Sequence, residues 1–231
     1  MKTVGIIGGI APESTIEYYR LIIALYRSRI RDGSYPQIMI NSIDMKRMLD
    51  LLGANDLAGV VDFVLGELTK LTQAGADLGF LASNTPHIVF DEIQRQSPLP
   101  LVSIVEATCT AAQALRLKKV GLLGTRFTMQ GQFYPKVFSR QGIALIVPET
   151  DEQEYIHDKY MSELVNGIFL VETRERLLTI VDRLKERAGI QGVILGGTEL
   201  PLILRDIADR GIPFLDTTRI HAESVVAQML A

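Results

Sequence analysis

The sequence predicts an α/β protein built from two pseudo-symmetric four-stranded parallel sheets, each flanked by helices. Three observations carry this. Short, nearly continuous apolar runs alternate with amphipathic stretches, and strands apolar on both faces belong to parallel sheets covered by helices. The chain repeats itself at half its length: KTVGIIGG at 2–9 returns as KKVGLLGT at 118–125, and GADLGFLASNTPH at 75–87 as GIQGVILGGTELP at 189–201. LPLVSI at 99–104 returns more weakly as IPFLDT at 212–217, so the offsets are 116, 114 and 113 in 231 residues. A repeat this long is no solenoid unit and reads as a duplicated half-domain. An eight-stranded barrel would need a helix after every strand at a uniform spacing, which these irregular lengths do not supply.

The runs Val4–Ile7, Ile38–Ile43, Leu78–Ala82, Leu101–Val105, Val120–Leu123, Ile143–Val147, Val193–Leu195 and Pro213–Leu215 read as strands, four to each half. Pro12 suits the first position of a helix with Glu13 in its first turn, and the pattern continues to about Arg31. Asp56–Ala74 is a second helix, stopped by Gly75; Glu152–Asn166 and Thr173–Ala188 are two more. Strand–helix alternation implies right-handed crossovers. The expected domains are 1–98 with 210–231, and 99–209, the last stretch Thr217–Ala231 returning as a helix to the first half. No Pro/Gly/Ser-rich linker separates them.

Composition narrows the function. With 47% hydrophobic and 22% charged residues the chain is ordinary globular protein, and its net charge of −3 with scattered Lys and Arg argues against nucleic acid. No apolar run approaches the ~18 residues of a membrane span, and the N-terminus passes from Lys2-Thr3 into VGII and glycines rather than a secretory signal. A cytoplasmic protein is expected. A single cysteine, Cys109, excludes an intrachain disulfide, and its alanine-rich surroundings read as a small core position. His87, His157 and His221 lack metal-site spacing, so no metal is expected.

Four loops carry candidate chemistry. GGIAPEST at 8–15 follows the first strand and opens a helix; its glycines let backbone N–H groups approach an anion, although Ser14 and Thr15 read equally well as helix surface. SNTPH at 83–87 ends the third strand, where Asn84 and Thr85 either hold a carboxylate or cap the next helix. GTRFTM at 124–129 mirrors the first loop, with Thr125 and Thr128 facing the same kind of crevice. GGTELP at 196–201 mirrors the second, with Thr198 and Glu199; Glu199 suits a substrate amine or first-turn helix electrostatics. Strand C-termini are where open α/β sheets bind ligands.

Together with DTTRIHAE at 216–223, these motifs resemble the aspartate/glutamate racemase family, in its amino-acid racemase branch, along the full chain. The resemblance implies two pseudo-symmetric domains with the active site between them, a homodimer, no cofactor, and inversion of the α-carbon of an acidic or related amino acid. It implies two facing cysteines, one removing the α-proton and one returning a proton, in the patterns C-N-T-x-H and G-C-T-E. Here those positions hold Ser83 and Gly197. The remaining substrate-binding positions, Ile10, Ala11, Asn84, Thr85, Thr125, Thr128, Thr198 and Glu199, match the family pattern. Laboratory replacement and natural divergence would leave the same two residues. A serine hydroxyl is a far weaker acid than a thiol, and glycine has no side chain, so three readings stand: a racemase with impaired or altered proton transfer, a non-catalytic binder of small dicarboxylates or amino acids, and a one-sided decarboxylase or lyase. Arg47, Arg126 and Lys159 are candidate cations for a distal carboxylate.

Overall fold

The computed structural model describes residues 1–204 and 210–231. The chain divides into two compact units, Met1–Ile104 with His221–Ala231, and Val105–Ile220. In the first, β1 (Val4–Gly8), α1 (Pro12–Arg29), β2 (Ile38–Ser42), α2 (Met45–Gly53), α3 (Leu57–Gln73), β3 (Leu78–Leu81), a 3-10 turn (Thr85–Val89), α4 (Phe90–Gln96) and β4 (Leu101–Val102) follow one another. Helix α5 (Ile104–Ala114) leads into the second unit: β5 (Lys119–Gly124), α6 (Arg126–Gln130), α7 (Phe133–Ser139), β6 (Ala144–Ile146), α8 (Thr150–Ser162), a 3-10 turn (Leu164–Asn166), α9 (Val171–Ala188), β7 (Val193–Gly196), α10 (Leu200–Ile203) and β8 (Phe214–Asp216). Helix α11 (Thr217–Leu230) carries the chain back.

Each unit holds one four-stranded, all-parallel sheet, and the two have the same topology, β2-β1-β3-β4 and β6-β5-β7-β8. The duplication therefore extends to strand order: β1 corresponds to β5 and β3 to β7. Registers agree as well, Val4 facing Leu78 in one sheet and Gly121 facing Val193 in the other. Central strands β1, β3 and β7 are buried along their whole length, which is why they are continuous apolar runs.

Pairing corrects the expected partition. Residues 99–104, assigned from sequence to the second half, contribute β4, which pairs with β3 in the first sheet through Gly79–Leu101 and Phe80–Val102. That strand is also shorter than Leu101–Val105, because Ile104 already begins α5; apolar character runs on across the joint since both sides are buried. Conversely, β8 pairs with β7, so the second unit extends beyond the expected boundary at 209 and 210. Residues 205–209, which adjoin that boundary, lie outside the described residues.

The first core packs Val4, Ile6, Leu78 and Phe80 against Tyr18 and Ile22 of α1 and Ala222, Val225, Val226 and Met229 of α11. The expected return of the C-terminal helix to the first half is thus observed, and Lys2 N–H donates to Met229 O at 3.0 Å. The second core gathers Leu123, Val193 and Leu195 with Ile156 and Tyr160 of α8 and Leu177, Val181 and Leu184 of α9. No helix among the described residues is long and apolar enough to cross a membrane. Cys109 is a buried residue of α5, 2% exposed, and burial followed by the nearby Glu106 charge pushes its thiol pKa up. This is an inert core position.

Candidate active site

In each unit the loops after the two central strands lie side by side, because parallel neighbours end at the same edge. In the first unit the loop after β1 bends at Gly9, whose φ is +82°. A side chain there would also strike Ile43 O and Ser42 Oγ, so glycine is required on both counts. The loop is tied internally. Gly9 N–H donates to Thr15 Oγ1 at 2.8 Å; Ser14 Oγ donates to Ala11 O at 2.8 Å and reaches Ala82 O, at the end of β3, at 3.3 Å. Ser14 and Thr15 are therefore buried struts rather than the helix surface that sequence spacing allows. Ile10 and Ala11, joined by a cis peptide, are both buried, and Ala11 stands at the cap position of α1.

The loop after β3 places Ser83, Asn84 and Thr85 beside this strut, all buried. Asn84 occupies the cap position of the 3-10 turn without a capping hydrogen bond from its side chain, so the capping alternative is not realised there. His87 is not aimed at the Ser83 hydroxyl. A carbonyl only accepts, so Nδ1 carries the ring hydrogen and donates to Ser83 O at 3.1 Å, leaving Nε2 to accept from Ile104 N–H at 3.4 Å. The ring stacks on Phe90 with centroids 4.5 Å apart. Burial first, then the proximity of His221, pulls its pKa down to about 3. His87 is a neutral splint for the loop, not a base for Ser83.

The second unit repeats the arrangement with different chemistry. Thr125 caps α6: its Oγ1 accepts from Thr128 N–H at 3.4 Å and lies 3.3 Å from Thr128 Oγ1. Gly124 and Gly196 are partners in the sheet, and a Cβ on Gly124 would come within 2.6 Å of Gly196 O and 2.9 Å of Thr128 Cβ. Close backbone approach thus brings the Thr125–Thr128 loop against the one bearing Gly197, Thr198 and Glu199. Glu199 caps α10 by position only; its carboxylate turns instead to Tyr160 of α8, whose hydroxyl donates to Glu199 Oε2, and to Thr198 Oγ1 at 3.0 Å. Glu199 N–H also reaches the Tyr160 oxygen at 3.5 Å.

Tyr160 is the residue a motif reading overlooks. It stands directly over Gly197: a Cβ on residue 197 would lie 2.8 Å from the phenol oxygen and 2.9 Å from Cζ. The space that a side chain at position 197 would take is filled from α8. Desolvation, then the Glu199 charge, holds the phenol pKa well above its ordinary value, so the hydroxyl keeps its proton at neutral pH.

The proposed distal cations are occupied or outward. The Arg47 guanidinium lies over the Phe63 ring, 4.6 Å from its centroid; the Lys159 ammonium pairs with Glu163; Arg126 is exposed, its backbone N–H directed at His157 Nδ1 at 3.3 Å.

Known proteins resemble the chain throughout. Residues 7–225 match the Asp/Glu/Hydantoin racemase family. A broad-specificity amino-acid racemase, RacX of Bacillus subtilis, is 28% identical over 99% of this chain and 98% of its own length. The crystal structure of an aspartate racemase homologue from Pyrococcus horikoshii superposes with a TM-score of 0.85 at 34% identity, over the whole of both chains. A glutamate racemase of Francisella tularensis in complex with D-glutamate shares the fold, with a TM-score of 0.68 and 15% identity over 99% of this chain and 81% of its own.

Proposed function

The chain belongs to the Asp/Glu/Hydantoin racemase family, and from that premise we propose that it moves a proton at the α-carbon of an acidic or related amino acid, using its own side chains and no cofactor. The observation that supports the reading is the burial of polar loop residues at the strand ends of both units, Asn84 and Thr85 beside Ile10 and Ala11 in one and Thr125, Thr128, Thr198 and Glu199 in the other. Such hydroxyls, amides and backbone N–H groups suit the α-carboxylate and amine of an amino acid. Holding that ligand in one orientation is the part of the task the loops supply.

The proton-transfer positions set the rate. On the first unit, Ser83 oxygen takes the α-proton while passing its own to water, a slow step without a paired base, since the His87 nitrogens are committed to backbone. The expected activity is real but slow. Incubating the protein with L- and D-aspartate and L- and D-glutamate in D2O and following the α-proton by NMR tests it: exchange from at least one is expected, and none from any overturns the reading. The homodimer expected for the family predicts a light-scattering mass of twice the 25.6 kDa chain.

A second reading, a binder of amino acids or small dicarboxylates without turnover, is favoured by the absence of a thiol at both Ser83 and Gly197. Calorimetric binding with no exchange would select it.

A further inference from the structure

Helix α8 grips both candidate loops of the second unit along one face. Gln153, His157 and Tyr160, four and then three residues apart, share one row of the helix. Gln153 Oε1 accepts from Gln130 Nε2 at 3.2 Å at the end of α6, and His157 Nδ1 accepts from Arg126 N–H at 3.3 Å at its start. Tyr160 donates to Glu199 Oε2. Between the first two contacts runs the short helix α6, with Thr125 capping it and Thr128 within it. Its 5 residues are far below the length that sustains a helix in water, so its place is set by what holds it. Arg126 N–H is one of the first amides of that helix, which have no partner inside it. The acceptor it finds is an imidazole nitrogen, so the ring hydrogen is on Nε2.

We propose that His157 is a positioning residue that seats the Thr125–Thr128 loop only while its ring is neutral, so that acid releases the loop and weakens amino-acid binding by it. This rests on the amino-acid reading above and adds a control to its binding half. A neutral imidazole accepts at Nδ1; the imidazolium carries hydrogen on both nitrogens and meets the Arg126 N–H donor to donor. Burial is the largest influence on the ring and opposes its protonation. The Arg126 charge, from α6, opposes it too, while Asp158 on α8 itself favours it. From α9, Arg176 lies over Tyr155, and Arg183 and Arg187 pair with Glu152 and Glu149. Glu163, where α8 meets its 3-10 turn, pairs with Lys159 and accepts from Thr173; Lys119 of β5 donates to Ala188 O. The ring is therefore neutral at neutral pH and charges in more acidic solution. The Gln153 amide does not titrate and Tyr160 keeps its proton, so of the three holds only His157 responds.

The test follows the Arg126 amide by NMR, and KM for aspartate and glutamate by deuterium entry, in wild type, His157→Asn and His157→Leu. Each is measured at pH ~7.5 and ~5.5, either side of the ordinary histidine value, with a thermal melt to show the chain folded. Asparagine offers a non-titrating acceptor near the Nδ1 position; leucine removes the acceptor. In wild type the Arg126 amide shift is expected to titrate with the His157 ring, and its exchange protection to fall in acid. KM should rise roughly three- to tenfold, the size of one hydrogen bond, with kcat changed less than about twofold. In His157→Asn all of these should stay flat across the window. His157→Leu should show at pH ~7.5 what wild type shows at ~5.5. An Arg126 amide that ignores the titration of the ring, or a leucine variant with wild-type protection there, overturns the proposal. So does a KM that rises equally in His157→Asn, since the acid effect then arises elsewhere. If wild type exchanges neither amino acid, the amino-acid reading falls and the Arg126 amide alone decides the seat. Should His157→Leu lose its cooperative melt, the wild-type and asparagine titrations carry the test.

Discussion

The Tyr18 hydroxyl donates to Nδ1 of His221 at 2.8 Å, while Nε2 of the same ring donates to Val102 O at 2.9 Å. One imidazole thereby ties α1, α11 and β4 together inside the first core, edge-on to both Tyr18 and Phe80. The carbonyl fixes the tautomer, and the neutral ring satisfies both contacts. Burial holds the His221 pKa down to about 4, opposed by the bond to Val102.

Acid should therefore destabilise the protein before its carboxylates titrate. His221 and His87 are neutral in the fold down to about 4 and about 3, but protonate at about 6.5 when unfolded. Below that value the unfolded chain binds more protons, so the stabilisation is complete above pH ~6.5 and is lost as pH falls toward the folded values. Between pH ~6.5 and ~5 the unfolding free energy should drop by up to roughly 3 kcal/mol per pH unit, with a smaller part from half-buried His157. Urea denaturation across that window measures it; a flat profile contradicts it, and His221→Gln should lower the slope.

Adding one methyl at position 197 should be costly only while Tyr160 is present. Gly197→Ala pushes a Cβ into the phenol, and overpacking of this kind costs about 1–3 kcal/mol. In a Tyr160→Ala background the same change should cost less than about 0.5 kcal/mol, a coupling that a double-mutant cycle reads directly. Additive costs would mean the two residues do not share the space.

Thr15→Val keeps shape but removes the acceptor of Gly9 N–H. An unsatisfied buried donor costs about 1–3 kcal/mol. Denaturation should show that loss, and hydrogen exchange at the Gly9 amide should accelerate beyond what the global change explains. Thr15→Ser, which retains the hydroxyl, should restore slow exchange.

Cys109 should resist thiol reagents in the native protein and react fully after denaturation, since it is 2% exposed and its pKa is raised. One thiol per chain appears on unfolding; rapid native labelling would contradict the buried assignment.

The fold was legible because the repeat and the doubly buried strands report on the same thing, a parallel sheet made twice. The β4 run was harder. Leu101 to Val105 is apolar but for the buried Ser103, yet the strand stops at Val102 because burial continues into α5, and hydrophobicity alone does not distinguish the two. Helix α2, Met45–Gly53, was absent from the sequence reading although Asp44 caps it through Lys46 N–H. Loop residues of the site were legible because their donors sit beside glycines at strand ends. Tyr160 was not. It lies 39 residues from Glu199, inside an ordinary amphipathic helix, and its relation to Gly197 is one of volume, which residue order does not record.

The return of α11 to the first core separates chain order from folding order. Ala222, Val225, Val226 and Met229 complete a hydrophobic cluster begun by Val4 and Ile6. During synthesis the amino-terminal unit must wait, its sheet uncovered on that side, until residues 222–229 have been made. Val105–Ile220, by contrast, is contiguous and has all its strands beforehand. The unit begun first is completed after the other, so a chain cut after Ile220 would carry every strand of the second unit attached to a first unit lacking part of its core.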